Sequence, residues 1–546
     1  MQDRRRSIWG WGWADEFGSE SERAALGSSL GAVLGFEGTG MRAAADPSTY
    51  SVREGRIAVP DGLAHVCTTD RLERAARTWG RSYPDIIRGF QGDFSAAPDV
   101  VATPRTEAEV AAVMAWCGEI GAALIPYGGG TSVVSGIEAD VSDRWTGAVS
   151  LDMRGLDQVL AVDCVSRAAR VQAGILGPAL NRKLAEQGLA LRHYPQSWEF
   201  STVGGWIATR AGGHYATLYT HIDDLVESIR MVTPTGVWES ARLPGSGAGP
   251  SPDRMLLGSE GIFGVITEAW LRVQVRPCWK ATASVFFTSF DDAVDAARSL
   301  SQSGLYPTNC RLLGPREAAL NGVAFDGSTV VVVGFESSDH PVGPWVDRAL
   351  EIVAEHGGSC PLGPRVVEDR PEDAATSGSV APGDAAGSWR DAFFQAPYLR
   401  DRMLSLGVMA DTFETAVTWD RFGAMHADLV RRVRGVMKRE CGAGRLTVRF
   451  THVYPDGPAP YYTFIAPVQP GREIASWEAI KHEASEVLAE HGATITHHHA
   501  VGRTHRPWYR RQRPAPFGDV LRAIKAQVDP LGMLNPGVLV AETEAE

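Results

Sequence analysis

Residues 126–132 read Pro126-Tyr127-Gly128-Gly129-Gly130-Thr131-Ser132, directly after the short apolar run 122–126. Three consecutive glycines permit positive φ and let the backbone approach a ligand with no Cβ in the way. Successive N–H groups can then form a nest for a pyrophosphate, with the Thr131 and Ser132 hydroxyls as further donors. No Gly-Lys-Ser/Thr comes after it, so this is not a Walker loop, and the spacing is not G-x-G-x-x-G. Taken alone, the triplet also fits a tight turn between strands. Its surroundings read as an α/β unit. Residues 100–102 form a short apolar strand. Residues 106–120 carry apolar positions at Val110, Val113, Met114 and Cys117, behind a Thr106 N-cap with Glu107 and Glu109 in the first turn. Strand, helix, strand and glycine loop thus succeed one another.

Three more small-residue loops lie downstream: Gln196-Ser197-Trp198-Glu199-Phe200-Ser201-Thr202-Val203-Gly204-Gly205, Thr209-Arg210-Ala211-Gly212-Gly213, and Gly258-Ser259-Glu260-Gly261-Ile262-Phe263-Gly264-Val265-Ile266. That is more than chain reversal requires. A flat isoalloxazine with a long diphosphate needs several backbone segments close to one ligand. The four stretches resemble the PCMH-type FAD-binding domain of the vanillyl-alcohol oxidase superfamily. The terminal stretch Asp529-Pro530-Leu531-Gly532-Met533-Leu534-Asn535-Pro536-Gly537 resembles the end of that superfamily's C-terminal domain. The resemblance implies an FAD held by these loops. Because residues 126–132 contain no His or Cys, the expected attachment is non-covalent. It also implies an α+β fold: a two-subdomain PCMH-type FAD-binding domain over 95–275, then an α/β substrate (cap) domain with an antiparallel sheet over 276–500. Residues 1–94 precede these as an N-terminal segment, and 501–546 form a helical C-terminal segment returning to the FAD domain.

Composition narrows the function classes. The chain has 546 residues, 44% hydrophobic and 22% charged, with a net charge of −12, which argues against nucleic acid as a partner. Seven scattered cysteines form no C-x-x-C pair, so neither a zinc site nor a redox dithiol is expected. An odd number of them fits reduced thiols in a cytosol. Only five residues are Lys, an Arg bias of the kind GC-rich bacterial genomes impose. No apolar run approaches the roughly 18–20 residues of a membrane span. The basic start, Arg4-Arg5-Arg6, lacks the apolar core of a signal peptide, because Asp15 and Glu16 interrupt the Trp-rich stretch 9–17. The acidic C-terminus carries no peroxisomal Ser-Lys-Leu. A cytoplasmic protein, with peripheral membrane contact left open, is the expectation.

In the second half, 291–301, 345–356 and 476–491 read as helices and 328–336, 410–417 and 445–454 as strands, while the Pro-, Gly-, Asp- and Ser-rich 361–388 reads as a surface loop. His497-His498-His499 comes just after the last of these helices. Three imidazoles can transfer protons near neutral pH and donate to an anion; the alternatives are a metal-binding or a solvated tract. Neighbouring strand residues point to opposite faces, so all three on one metal are not expected, and no metal is. Tyr461 precedes Tyr462, and strand alternation admits only one of them to the interior. Arg400 can pair with phosphate bidentately, or with Asp401 or Asp411. Arg311 can serve a site or form a surface pair with Glu317.

A wider set of stretches is similar to the alkyldihydroxyacetonephosphate synthase family: Trp9-Gly10-Trp11-Gly12, Pro397-Tyr398-Leu399-Arg400-Asp401, Phe413-Glu414-Thr415, Trp419-Asp420-Arg421, residues 451–454 with Tyr461, and the histidine triplet. The resemblance implies exchange of the acyl group of acyl-dihydroxyacetone phosphate for a fatty alcohol, without net redox change and through a flavin N5 adduct. Tyr461 is then the proton acceptor and donor, Arg400 binds the substrate phosphate, Arg311 acts near the flavin, and His497, His498 and His499 belong to the active site. The implied partners are a lipid-like phosphate substrate and a fatty alcohol, in a homodimer, with an apolar tunnel that 393–398 and 404–409 are apolar enough to help line. The sequence departs from the family at Trp79 and Arg81, where its members often carry His. An FAD-dependent 2-hydroxy-acid dehydrogenase or oxidase of D-lactate or glycolate type would share the flavin loops, as would a non-catalytic flavin-loaded lipid binder.

Overall fold

A computed structural model describes residues 4–215, 217–368 and 385–541, and in it the glycine loop leaves the end of strand Ala123–Tyr127. That strand pairs in parallel with Ala148–Asp152, which pairs in parallel with Val100–Ala102; Cys67–Thr68 adds an antiparallel edge. Ala123, Leu124 and Ile125 are fully buried, as expected of a parallel strand covered on both faces. Helix Glu107–Ile120 is fixed at its start by a capping box between Thr106 and Glu109 and ended by Gly121 in the left-handed conformation. It buries Val110, Val113, Met114 and Cys117 in the same core as the strand. The other edge of Ala123–Tyr127 is taken by the chain's far end: the Leu124 N–H donates to the Met533 carbonyl and the Asn535 N–H to the Leu124 carbonyl, both at 2.9 Å.

A second, five-stranded antiparallel sheet runs in the order Gly236–Glu239, Val226–Thr233, Val265–Arg272, Ala168–Gln172, Val159–Asp163. The later chain builds a seven-stranded antiparallel sheet, in the order Arg365–Glu368, Trp279–Phe287, Thr329–Ser337, Asn309–Leu313, Arg445–Val453, Pro458–Pro467, Val408–Glu414. The architecture is α+β. Alternation along Thr329–Ser337 shows how the large sheet is covered on both faces. Val331 and Val333 pack into the core shared with helices Phe290–Gln302, Gly343–Glu355, Trp419–Cys441 and Glu473–Glu490, whereas Val330 and Val332 pack with Phe393 of helix Ala385–Ser405. Among the described residues, no helix is long and apolar enough to cross a membrane.

Three sequence expectations change. Of the expected loop 361–388, Arg365–Glu368 is an edge strand and helix Ala385–Ser405 has begun by its end; residues 369–384 lie outside the described residues, as does the acidic 542–546. The composition of the whole window hid a four-residue strand and a helix that carries Pro397 in its interior. The strand expected over 410–417 is Val408–Glu414, with an extended link leading to helix Trp419–Cys441. Both Tyr461 and Tyr462 are buried. Alternation does send them to opposite faces, but both faces are covered: Tyr462 packs among the helices, 2.9 Å from His426 Nδ1, and Tyr461 faces the FAD-binding half.

Candidate functional site

A cavity of about 450 Å³ lies between the glycine loop and the large sheet. Gly128–Ser132, Ser201, Thr202 and Gly205 form one wall; Thr412, Arg449 and Tyr461 of the sheet form the other. A narrower slot of about 100 Å³ continues from it past Pro126, Tyr127, Gly204, Glu260, Gly261 and Ile266, sharing Gly128, Thr202 and Gly205 with the larger space. Gly129 is required by close approach: a Cβ there would lie 1.9 Å from the Phe200 carbonyl oxygen. Gly130 is required by its φ of +70°. Gly129 and Gly130 are buried, and among the described residues no acceptor faces the N–H groups of Gly129, Gly130 and Thr131. Buried donors seldom go unpaired, and a run of them beside a slot fits the diphosphate of a dinucleotide.

Most of the loop residues expected to hold the cofactor line this space: Gln196, Ser197, Thr209, Ala211 and Gly212 bound the larger part, and Gly264 and Val265 the slot. Eight do not line it. Ile262 and Phe263 are core residues packed with Trp206. Phe200 packs with Trp11 and Tyr398, and Glu199 accepts from the Trp13 indole at 2.8 Å. Trp198 closes over Gly177. Arg210 pairs with Asp223 at 2.6 Å, while Gly258 packs on the Arg210 side chain and Ser259 is buried beside it. These positions shape the loops that carry the lining residues.

The histidine triplet is not a strand but a turn wrapped around one carboxylate. Glu414 ends strand Val408–Glu414 opposite Tyr461 and is 2% exposed. Its Oε1 accepts from the backbone N–H of His497, His498 and His499 at 3.1, 2.6 and 2.6 Å and from the Thr496 hydroxyl at 3.0 Å. Its Oε2 lies 2.6 Å from His498 Nδ1. Burial opposes ionisation, but the facing His498 and His499 and the converging donors outweigh it and hold the carboxyl well below its ordinary range. His498 and His499 line the cavity, while His497 turns away from it, its Nε2 2.8 Å from the Tyr454 hydroxyl and 3.2 Å from His221 Nε2. Burial, with neighbouring imidazoles, lowers His497 and His452 well below the usual histidine value and His499 to about 3.

The network fixes the tautomers. His221 Nδ1 faces the Arg210 carbonyl at 3.1 Å and must donate to it, which leaves His221 Nε2 as an acceptor. The proton of His497 therefore sits on Nε2, and His497 Nδ1 accepts from His498 Nδ1 at 3.1 Å. His498 Nδ1–H thus points to His497, with Glu414 Oε2 alongside it, so His498 Nε2 is left free to accept a proton. Two groups, His452 with His497 and His498, and Glu414 with His498 and His499, bring ligand atoms within 4.8 Å of one another. Most of those atoms take part in the bonds just described, His452 Nε2 with the Gly213 carbonyl at 3.0 Å, which link the cluster into one hydrogen-bonded network.

Tyr461 donates to the Thr412 hydroxyl at 2.9 Å, beneath the Arg449 guanidinium, which stacks 3.9 Å from the ring centroid. Burial raises the phenol to about 12 despite that cation. Arg449 also pairs with buried Glu317 at 2.6 Å, so the pair expected between Glu317 and Arg311 does not form. Arg311 is 1% exposed and does not line the cavity. Its Nη2 donates to His214 at 2.9–3.0 Å, and burial beside Arg449 lowers it to about 9. Arg400 lines the cavity but is held by Asp401 at 3.1 Å and the Arg81 carbonyl at 2.9 Å. Asp401 in turn accepts from the Trp11 N–H, which ties the Trp-Gly start to the site. Trp79 is core, whereas Arg81 reaches the site through its backbone, which also donates to Ser132. Helix Ala385–Ser405 lines the cavity through Ala392, Ala396, Pro397, Leu399 and Met403, so the expected 393–398 contributes to its apolar wall and 404–409 does not. Lys481, whose ammonium burial lowers, donates to the Thr412 carbonyl at 2.9 Å. Sequence patterns alone assign no role to Glu414, Arg449, Lys481, His221, His452 or Tyr454.

Comparison with known proteins agrees with this geometry. Residues 98–242 match the model of an FAD binding domain, and 276–539 that of the C-terminal domain of FAD linked oxidases. The chain is 31% identical over 493 residues to an alkyldihydroxyacetonephosphate synthase of Dictyostelium discoideum, covering 87% of this chain and 79% of that one. It is 28% identical to the synthase of Trypanosoma brucei brucei, over 89% and 81% of the two chains. A solved alkyldihydroxyacetonephosphate synthase superposes with a TM-score of 0.78 at 27% identity, covering 94% of this chain and 92% of that one.

Proposed function

The chain belongs to the alkyldihydroxyacetonephosphate synthase family, and from that premise we propose that it exchanges the acyl group of acyl-dihydroxyacetone phosphate for a fatty alcohol. The observation that carries this reading is the convergence of Tyr461, His498 and three cations on a glycine-loop cavity that also has an apolar wall. Arg400, Arg449 and Lys481 supply positive charge for a phosphate dianion. Leu399, Met403, Ala410 and Ile465 offer apolar surface to a long chain. The Gly129, Gly130 and Thr131 amides hold the FAD diphosphate, without a covalent tether at that loop. Bound FAD supplies an electrophilic ring at the carbon from which the carboxylate departs.

The residues divide the proton work. His498 Nε2 takes the proton from C1, with Glu414 stabilising the imidazolium. The fatty acid leaves as a carboxylate. The alcohol oxygen bonds to C1 and gives up its own proton, and C1 is reprotonated. Tyr461, held protonated by burial and donating to Thr412, reprotonates C1 and recovers its proton from the alcohol hydroxyl. Of the accepting role implied for it by the family, removal of the C1 proton passes to His498. Arg311 is a positioning residue that holds His214. A substrate with one or two long chains implies delivery from a lipid surface or a carrier.

Incubation of the FAD-loaded protein with acyl-dihydroxyacetone phosphate and labelled hexadecanol is expected to yield a labelled ether by mass spectrometry, with the flavin still oxidised afterwards. Lasting anaerobic bleaching by D-lactate or glycolate, with no ether formed, would overturn the reading in favour of a 2-hydroxy-acid dehydrogenase. Tyr461→Phe is expected to lower kcat by about 10²-fold with flavin content unchanged; an undiminished rate would remove the phenol from the reaction.

A further inference from the structure

The exchange releases one proton per turnover. C1 loses one proton to His498 and regains one from Tyr461, which takes the alcohol's hydroxyl proton in return; the departing carboxylic acid is ionised at neutral pH, so the proton on His498 is left over. It is held inside a chamber that a flavin ring, the substrate phosphate and apolar chains would fill, and it needs an exit before the next turnover.

A second cavity of about 450 Å³ lies on the far side of the histidine cluster, lined by Thr217, Thr220, Asp223, Asp253, Arg272 and Tyr454. It opens to solvent, since Leu218 and Tyr219 on its rim are 46% and 40% exposed. Tyr454 stands between the two spaces. Its hydroxyl is 2.8 Å from His497 Nε2 and donates to the Thr220 hydroxyl at 3.1 Å. The path from the inner cavity is therefore continuous: His498, His497 at 3.1 Å, Tyr454 at 2.8 Å, then Thr220 at 3.1 Å.

We infer that His498, His497 and Tyr454 form a proton relay that discharges the inner cavity into the outer one. The inference rests on the proposed exchange reaction. The tautomers set its direction. His498 gains a proton at Nε2 and passes its Nδ1 proton to His497 Nδ1. His497 passes its Nε2 proton to the Tyr454 oxygen as Tyr454 gives its own to Thr220 or to water in the outer cavity. Each group gains one proton and loses one, so none ends charged, and rotation of the donors resets the chain. The Arg210 carbonyl, by fixing His221, keeps the His497 proton on the outward nitrogen. His221 positions the relay and does not carry the proton.

Tyr454→Phe removes the relay's last hydroxyl and keeps the ring, which lies nearly parallel to His452 at 8°. With FAD-loaded enzyme, acyl-dihydroxyacetone phosphate and hexadecanol, the variant is expected to lose about tenfold in kcat, with KM for both substrates within about twofold. It is also expected to show a solvent deuterium isotope effect on kcat larger than wild type's, and to regain rate as imidazole buffer, small enough to enter the outer cavity, is added. A structural role for the phenol would produce neither the isotope effect nor the rescue. Wild-type enzyme that forms ether beside a variant of unchanged rate and isotope effect overturns the relay alone. Wild-type enzyme that forms no ether overturns the assigned reaction and the relay with it.

Discussion

Taken from pH 7 to pH 5, the protein is expected to lose a large part of its stability. His193, His452 and His505 are 0, 1 and 4% exposed. Burial lowers His193 to about 3 and His505 to about 4, and His452 lies well below its ordinary value. In the unfolded chain each titrates near 6.5. Between those values the unfolded state binds protons that the native state does not, so stability falls as the pH falls. At pH 5 the loss is about 2 kcal/mol each for His193 and His505, roughly 4 kcal/mol together, with His452 acting in the same direction, set against a typical total of 5–15 kcal/mol. Glu414 does not act in this window. Its depressed carboxyl contributes stability that is fully present above about pH 4.3 and is lost only below it. The check is the thermal midpoint of FAD-loaded protein at pH 7, 6 and 5, monitored by circular dichroism and by flavin release. His193 gives a control, because neither of its ring nitrogens has a partner among the described residues. His193→Phe removes one titrating group without breaking a hydrogen bond, and should flatten the pH dependence by about 1.4 kcal/mol per pH unit. A midpoint that holds steady down to pH 5 would show that these imidazoles titrate in the native state as they do in the unfolded chain.

What could be read from the chain alone was what local chemistry determines. The glycine loop was legible because its need for positive φ and close approach is written in consecutive residues, and helix Glu107–Ile120 because its cap lies within four positions. The triplet was legible as a feature but not as a shape. Strand periodicity predicts alternating faces, whereas the three residues form a turn whose amides converge on Glu414, over 80 positions away. Phe413-Glu414-Thr415 carries part of the family resemblance, but nothing in its local chemistry distinguishes Glu414 from any other strand-end carboxylate. The same holds for His221 and Tyr454, which meet His497 only through the packing of the large sheet against the FAD-binding half. A surface pair with Glu317 is the alternative the sequence offers for Arg311, but one lies on a strand and the other on the helix after it. Arg449, on the neighbouring strand of the sheet, is better placed for the carboxylate. Among the flavin loops, small residues line the cavity and the bulky ones between them, Trp198, Phe200, Ile262 and Phe263, are anchors. A motif read as a block does not separate the two kinds.

Glu414→Gln should lower kcat by about 10³- to 10⁴-fold, the scale seen when a carboxylate that orients a catalytic imidazole becomes an amide. The carboxylate presents two acceptors. One takes three backbone N–H groups and the Thr496 hydroxyl, and the other faces His498 Nδ1 at 2.6 Å. An amide can satisfy only one side. With its oxygen toward the backbone donors, its NH₂ meets His498 Nδ1, which must become an acceptor. The His498 proton then moves to Nε2, where it blocks the only nitrogen free to take a proton from substrate. With its NH₂ toward the backbone, buried N–H groups face one another, at about 1–3 kcal/mol for each donor left without an acceptor. The first arrangement costs less, so the variant should fold, bind FAD and lose turnover. Its thermal midpoint should fall by a few degrees, because neutral acceptors make weaker bonds than an ionised one. The decisive comparison is kcat against flavin content. A variant that melts early yet turns over within about tenfold of wild type would reduce Glu414 to a scaffold for the turn and return the role of base to some other group in the cavity.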